Sequence, residues 1–237
     1  MFVIPAIDLL GGVCVRLTEG DYGTSKMYDV DPVAVALRFQ EQGSRWLHVV
    51  DLDGAKAGRP MNQEVISRIA KATSMKVQVG GGIRTVPDVR AVLAAGAARV
   101  VMGTRLTQDM ELAEALFNDF GDRLVAGIDT KNGMVAIQGW TETSALRGVD
   151  FARHLQELGC ERVVFTDVAR DGTLLGPNLV ATREMVEETA MKIVASGGVS
   201  NIQDVRDLVQ TGAEAVIVVK ALYEGRFSLA DVAQIGP

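Results

Sequence analysis

Aromatic residues make up only 5% of this 237-residue chain, too few for a β-sandwich built on aromatic cores. Cysteine is scarcer still. Cys14 and Cys160 lie far apart and without metal-ligand spacing, which argues against a disulfide framework or a zinc site and for two buried, small apolar residues in a reducing compartment. No apolar run approaches the roughly 20 residues a membrane helix needs, and the opening Met1-Phe2-Val3-Ile4-Pro5 lacks the basic head of a signal peptide. A soluble, cytoplasmic protein is the expectation. The 24 basic residues are outnumbered by 30 acidic ones, for a net charge of -6, and form no block suited to a nucleic-acid backbone. Any anion therefore has to be bound by local groups, with neither nucleic acid nor membrane as a partner. No Pro- or Ser-rich linker divides the chain, so residues 1–237 are read as one domain, and as a monomer.

What is present is a duplication. Gly81-Gly82-Ile83-Arg84-Thr85-Val86-Pro87-Asp88-Val89-Arg90, shifted by 116 positions, falls on Gly197-Gly198-Val199-Ser200-Asn201-Ile202-Gln203-Asp204-Val205-Arg206. The same shift carries Gly96-Ala97 onto Gly212-Ala213, Asp51 onto Asp167 and Asn62 onto Asn178. At a shift of 121, Ala6-Ile7-Asp8 with Gly12 meets Gly127-Ile128-Asp129 with Gly133. The repeated unit is half a domain, unlike the 20- to 50-residue periods of solenoids and propellers.

Within it, short β-branched runs alternate with longer helical stretches, the pattern of βα units on a parallel sheet. Strands are expected at 3–7, 46–51, 76–79, 99–102, 124–128, 162–166, 192–195 and 215–218. Helix signals separate them: Asp31 before Pro32 with Gly43 beyond, Thr85 with Gly96, Gly148-Val149-Asp150 with Gly159, and Asn201 with Gly212. Eight such units in this length predict a single (β/α)₈ TIM barrel with an internal half-barrel duplication.

The reactive face of such a barrel is built from the loops after its strands. Glycine there lets backbone approach a ligand, and successive N–H groups at a helix start favour an anion. Gly81 and Gly82 with Gly103 and Thr104 form one candidate phosphate site; Gly197 and Gly198 with Val219 and Lys220 form another. Two such sites across one mouth imply a small-molecule substrate with a phosphate at each end. Between them the duplication places one carboxylate per half, Asp8 and Asp129, suited to paired acid and base work. Asp often merely caps a loop, and Asp51 and Asp167 also follow strands, so position alone does not choose among four acids.

Further motifs carry a resemblance. Ile4-Pro5-Ala6-Ile7-Asp8-Leu9, Gly12-Val13-Cys14-Val15-Arg16-Leu17, Gly20-Asp21-Tyr22, Val50-Asp51-Leu52-Asp53-Gly54-Ala55, Gly80-Gly81-Gly82-Ile83-Arg84, Gly139-Trp140, Thr166-Asp167 with Arg170-Asp171-Gly172-Thr173, and Lys220-Ala221-Leu222-Tyr223-Glu224-Gly225 together resemble the ProFAR isomerases of histidine biosynthesis. The resemblance spans nearly the whole chain. It implies an Amadori rearrangement of an aminoaldose to an aminoketose, with Asp129 as the acid that opens the furanose ring, Asp8 as the base that removes a proton from the adjacent carbon, and Thr166 near the reacting sugar. It implies no metal and no organic cofactor, since proton transfers need only poised carboxyl groups. Arg16 and Arg84 are candidates to hold phosphate or ring oxygens through forked donors. Trp140 is a candidate to stack on the imidazole carboxamide, and Asp171, on a glycine-containing loop of the kind that can close over a substrate, is a candidate substrate contact; Trp46, His48 and His154 are assigned to structure.

Three rivals stay open. The cyclase subunit of imidazole glycerol phosphate synthase shares this fold and duplication but needs a glutaminase partner, and the Arg16-Leu17 and Gly139-Trp140 segments favour the isomerase. An isomerase that also takes phosphoribosylanthranilate would use the same acids. A barrel that binds phosphorylated metabolites without turnover is invited only by Val219, where both the repeat and the family pattern lead one to expect glycine beside the second phosphate. Its branched side chain is expected to weaken that half-site.

Overall fold

The computed structural model describes residues 1–18, 21–137, 139–140 and 142–233, without the side chains of Arg16, Thr18, Tyr22 and Ser25. Its strands are β1 (Phe2–Leu10), β2 (Val13–Thr18), β3 (Asp21–Asp29), β4 (Trp46–Asp51), β5 (Lys76–Gly80), β6 (Arg99–Met102), β7 (Leu124–Lys131), β8 (Met134–Ile137), β9 (Glu142–Arg147), β10 (Arg162–Asp167), β11 (Lys192–Ser196) and β12 (Ala215–Val218). Eight of them, in the order β1, β4, β5, β6, β7, β10, β11, β12, pair parallel and close on themselves. The registers fix the stagger. Carried from Phe2 through Ala215, Val194, Val164 and Gly127 and on around the ring, they return to β1 at Leu10, a displacement of eight residues. That is the stagger of a (β/α)₈ barrel, whose inward side chains stack in layers of four from alternate strands.

Alternation along the strands makes two cores. Ile4, Ala6, Val125, Val164, Val194, Ala215 and Ile217 fill the barrel. Ile7, Val49, Val79, Ile128 and Ile193 face outward and meet helix residues such as Val35, Ile69, Val89, Phe151 and Leu208. A large apolar side chain such as Phe151, 1% exposed, contributes about 1.5–3 kcal/mol by burial. The helices begin where short polar side chains cap them. Asp31 accepts from the Val33 N–H at Pro32–Glu41, and Thr85 with Asp88 and Asn201 with Asp204 form reciprocal capping boxes at Val86–Ala94 and Ile202–Val209.

Four strands lie outside the eight expected from sequence. β2 and β3 fold back antiparallel from β1, and β8 and β9 do the same from β7. Each ribbon turns at a pair with positive φ, Gly11-Gly12 (60° and 79°) and Asn132-Gly133 (53° and 79°), which matches the tight turn that right-twisted hairpins prefer. The duplication therefore includes a β-ribbon above each half of the mouth. Among the described residues no helix is long and apolar enough to cross a membrane.

Candidate active site

Following the same registers one residue per strand brings Asp8 and Asp129 to one level at the C-terminal end of the barrel, while Gly81-Gly82 and Gly197-Gly198 lie just past the ends of β5 and β11. The two carboxylates are on opposite strands of the ring, β1 and β7, and the strands that lead into the glycine pairs lie between them on either side. The next inward level below holds Val50, Gly103, Thr166 and Val219. Asp8 is 3% and Thr166 6% exposed.

Asp129 is the better defined of the two acids. Trp140 donates its indole N–H to Asp129 Oδ2 at 2.8 Å, and the Thr166 side chain hydrogen-bonds to the same carboxyl. Burial pushes the Asp129 pKa above the ordinary carboxylate value; the Trp140 and Thr166 hydrogen bonds oppose this, and the nearby charge of Asp171 adds to it. The net direction is up, which suits a group that must carry a proton to deliver. Trp140 reaches this place at a cost in backbone strain. Its φ of 73° lies in the left-handed region that a bulky residue rarely enters, and its N–H is tied to the Ile137 carbonyl at 3.1 Å.

The other two acids are held by their own loops. Asp51 accepts from the N–H groups of Gly54, Met61 and Asn62 at 2.7, 2.7 and 2.9 Å, and from Asn62 Nδ2 at 2.7 Å. Asp167 accepts from the Ala169 N–H at 3.1 Å and Asn178 Nδ2 at 2.7 Å. These contacts tie Asp51 and Asp167 to their own loops.

The glycine pairs are required by crowding. A Cβ on Gly81 would lie 2.2 Å from the Asp51 carbonyl oxygen and one on Gly82 2.3 Å from that of Gly54. In the second half a Cβ on Gly198 would lie 2.3 Å from the Gly176 oxygen and one on Gly197 3.0 Å from that of Asp167. All four have positive φ. Each pair thus threads against the loop of the preceding unit and leaves no side chain between its backbone and the mouth.

Around Gly197 and Gly198, Asp171, Gly172, Ser196, Val219 and Lys220 line one cleft. Lys220 Nζ donates to the Gly172 carbonyl at 2.8 Å, joining the loop after β10 to the helix start after β12. Val219 has φ -119° and ψ -84°, outside the region that favours glycine, and its side chain packs on the apolar barrel interior. At the equivalent Gly103 a Cβ would meet nothing closer than the Gly127 oxygen at 3.5 Å. Thr104 opens the short helix Arg105–Gln108 without a side-chain cap bond.

Arg84 is exposed, and its guanidinium lies against the Gly58 backbone. The Arg16 and Tyr22 side chains and Gly20 lie outside the described residues. Trp46 packs in the barrel floor, stacked with Phe2. His48 is buried against Gln78 at 3.1 Å, and burial pushes its pKa down to about 4. His154 is exposed on its helix. Cys14 and Cys160 are free and buried, with thiols pushed up to about 12 and about 11, chiefly by burial. Among the described residues no group of three His, Cys, Asp or Glu side chains is placed to hold a metal ion.

Asp53 had no role in the sequence reading. It accepts from the Gly11 N–H at 2.7 Å and from Asn62 Nδ2 at 2.8 Å, and so pins the turn of the first ribbon to the loop after β4. Its counterpart in the second half is Ala169, and only that asymmetry could have drawn notice to it.

Residues 2–228 match the family model described as histidine biosynthesis protein. A relative from Moorella thermoacetica is 51% identical over 97% of this chain and 96% of its own length. Others from Chloroflexus aggregans and Acetivibrio thermocellus are 46% and 43% identical over 98% or more of both chains. All three are named as imidazole-4-carboxamide isomerases, with a phosphoribosyl and a phosphoribosylamino group in the substrate's name.

Proposed function

Because the chain belongs to the histidine biosynthesis protein family, we propose that its mouth converts the bis-phosphorylated aminoaldose ProFAR into the corresponding aminoketose, with Asp129 as acid and Asp8 as base. The protein is an isomerase, and the observation that carries the residue assignment is the facing pair of carboxyls, one of them biased toward its protonated form. Asp129 gives its proton to the furanose ring oxygen as the bond from that oxygen to the aminated carbon breaks, and the amine lone pair forms C=N. Asp8 then takes the proton from the adjacent carbon, whose electrons form the C=C of an enaminol. That enaminol gains a proton at the former aldose carbon and loses one from its hydroxyl. Atoms and charge balance, and the protons need only the two carboxyl groups. Thr166 and Trp140 hold Asp129, and on substrate binding Trp140 gives up that bond to stack on the imidazole carboxamide.

The phosphates are assigned to Gly81, Gly82, Gly103 and Thr104 at one end and to Gly197, Gly198, Val219 and Lys220 at the other, with Arg16, Arg84 and Asp171 as further substrate contacts. The glycine crowding supports this by keeping both backbones bare toward the mouth. The protein is proposed to act as a cytoplasmic monomer of one domain without a nucleic-acid partner, a reading supported by its charge of -6 without a basic block. Purified protein assayed with ProFAR should turn it over; failure to do so overturns the proposal. The same assay with phosphoribosylanthranilate decides whether the enzyme serves a second substrate.

A further inference from the structure

The opposite end of the barrel is built differently. The same registers put Trp46, Arg99, Arg162 and Ala215 in one inward layer near the floor. The Arg99 guanidinium lies over the Trp46 ring, 4.0 Å from its centroid, and Arg162, 3% exposed, grips Glu214 through Nε and Nη2 at 2.7 and 3.0 Å. Arg99 and Arg162 flank β7 and are therefore neighbours in the layer. Each retains one buried Nη1 without a hydrogen-bond acceptor.

Two guanidinium charges thus lie beside one carboxylate, and although Arg99 and Glu214 are only partly buried, the two Nη1 atoms are closed off from solvent. Burial, and then the charge of Arg162, hold the Arg99 pKa below its ordinary value. Around them, Lys76 lies over the same Trp46 ring, Lys192 at the start of β11 is paired with Glu161 at 3.8 Å, and Asp122 precedes Arg123 in the turn before β7. Buried donors without partners call for an acceptor, and buried charge calls for an opposite charge. A water molecule would meet the first need alone.

We propose that the barrel floor holds one small monovalent inorganic anion, chloride in ordinary salt solutions, between the Nη1 groups of Arg99 and Arg162. A phosphate would need more donors and more room than a layer filled by Trp46 provides. Gln78, one layer above, can add a third donor. Its contact with His48 Nδ1 is equally a bond from an imidazole N–H to the amide oxygen, which would turn the amide NH₂ to the side where Oε1 now has no partner.

Crystals soaked in bromide and measured at the bromine edge should show an anomalous peak between the two guanidinium groups. In solution, replacing gluconate by chloride at constant ionic strength should raise the melting temperature by about 2–4 °C. Arg99→Met keeps the Arg162–Glu214 pair and a long side chain on Trp46, and should abolish that increment. No peak, or a water molecule at that position, overturns the proposal. So does an equal chloride increment in Arg99→Met, and a peak without any chloride-dependent stabilisation marks an adventitious ion only.

Discussion

Gly81-Gly82 and Gly197-Gly198 repeat each other in residue and in backbone, whereas Gly103 and Val219, at equivalent positions nearby, differ in residue. The contrast separates two kinds of position. A side chain on Gly82 or Gly198 would run into a carbonyl of the adjoining loop, so neither half can change there. At Gly103 and Val219 no such collision exists, and the halves have diverged. The same holds at the acids: Asp51 and Asp167 both serve their own loops through an Asn eleven residues on, yet among the described residues Asp51 accepts four hydrogen bonds and Asp167 two, from Ala169 and Asn178. Trp140 strains its backbone to reach Asp129, and the first half has no tryptophan at the matching place. Shared architecture is kept by crowding, while the differences gather where an asymmetric substrate would be met.

The comparison breaks most directly at the carboxylates. Asp8→Asn and Asp129→Asn should each lower kcat by about 10²- to 10⁴-fold with little change in binding, measured by steady-state kinetics and calorimetry. The two should part in stability. The proton-bound form of Asp129 is favoured in the folded state, so its contribution is present at low pH and is lost as pH rises through the raised pKa. Asp129→Asn should therefore melt above the parent at neutral pH. Near-normal turnover in either variant refutes its assigned role.

A second contrast concerns the acids that hold loops. An amide at position 51 has one acceptor oxygen and turns an NH₂ toward backbone donors, so Asp51→Asn should cost about 2–4 kcal/mol and Asp167→Asn less than half of that, read from melting curves. Well below its melting point Asp51→Asn should retain more turnover than Asp8→Asn. Equal losses with unchanged folding would return the choice among the four acids to where sequence left it.

All eight barrel strands were legible because β-branched runs repeat in both halves, and residues 162–166 and 215–218 were placed to within one residue of β10 and β12. The ribbons were not. Asp21–Asp29 and Glu142–Arg147 are largely polar and exposed, without the alternation that marks a half-buried strand; only the Gly11-Gly12 and Asn132-Gly133 turns announced them. Missing the ribbon also hid the Trp140–Asp129 bond, since the ribbon is what brings the indole back over β7. The Arg99–Arg162 neighbourhood was illegible for another reason: it depends on the register of the closed ring.

Trp140 offers a subtler test. Its hydrogen bond favours the ionised form of Asp129 and lowers its pKa, so Trp140→Phe should raise that pKa further. Because the acid works protonated, activity falls as pH rises through its pKa, and the alkaline limb of the kcat/KM profile should move to higher pH. Loss of the contact should lower kcat/KM by about tenfold at most. An alkaline limb that stays in place or moves to lower pH would show that Trp140 does not act on this proton.

The smallest effect is expected at Val219. From the sequence, restoring glycine should relieve a crowded phosphate site and tighten binding by roughly tenfold to a hundredfold. The backbone argues for the low end, since a φ of -119° gives glycine no conformational advantage and the valine side chain packs on the barrel interior beside Thr166. Its removal loses apolar packing and adds backbone freedom, at a cost to stability of about 1–2 kcal/mol, while opening space at the edge of the cleft formed with Gly197, Gly198 and Lys220. Val219→Gly should then melt lower and bind the bis-phosphorylated substrate no more than about tenfold tighter. Calorimetric titration with inorganic phosphate alongside the substrate separates the causes. Tightening with both places the valine against the phosphate cradle. Unchanged or weaker binding would mean that the two halves differ at this position in packing alone.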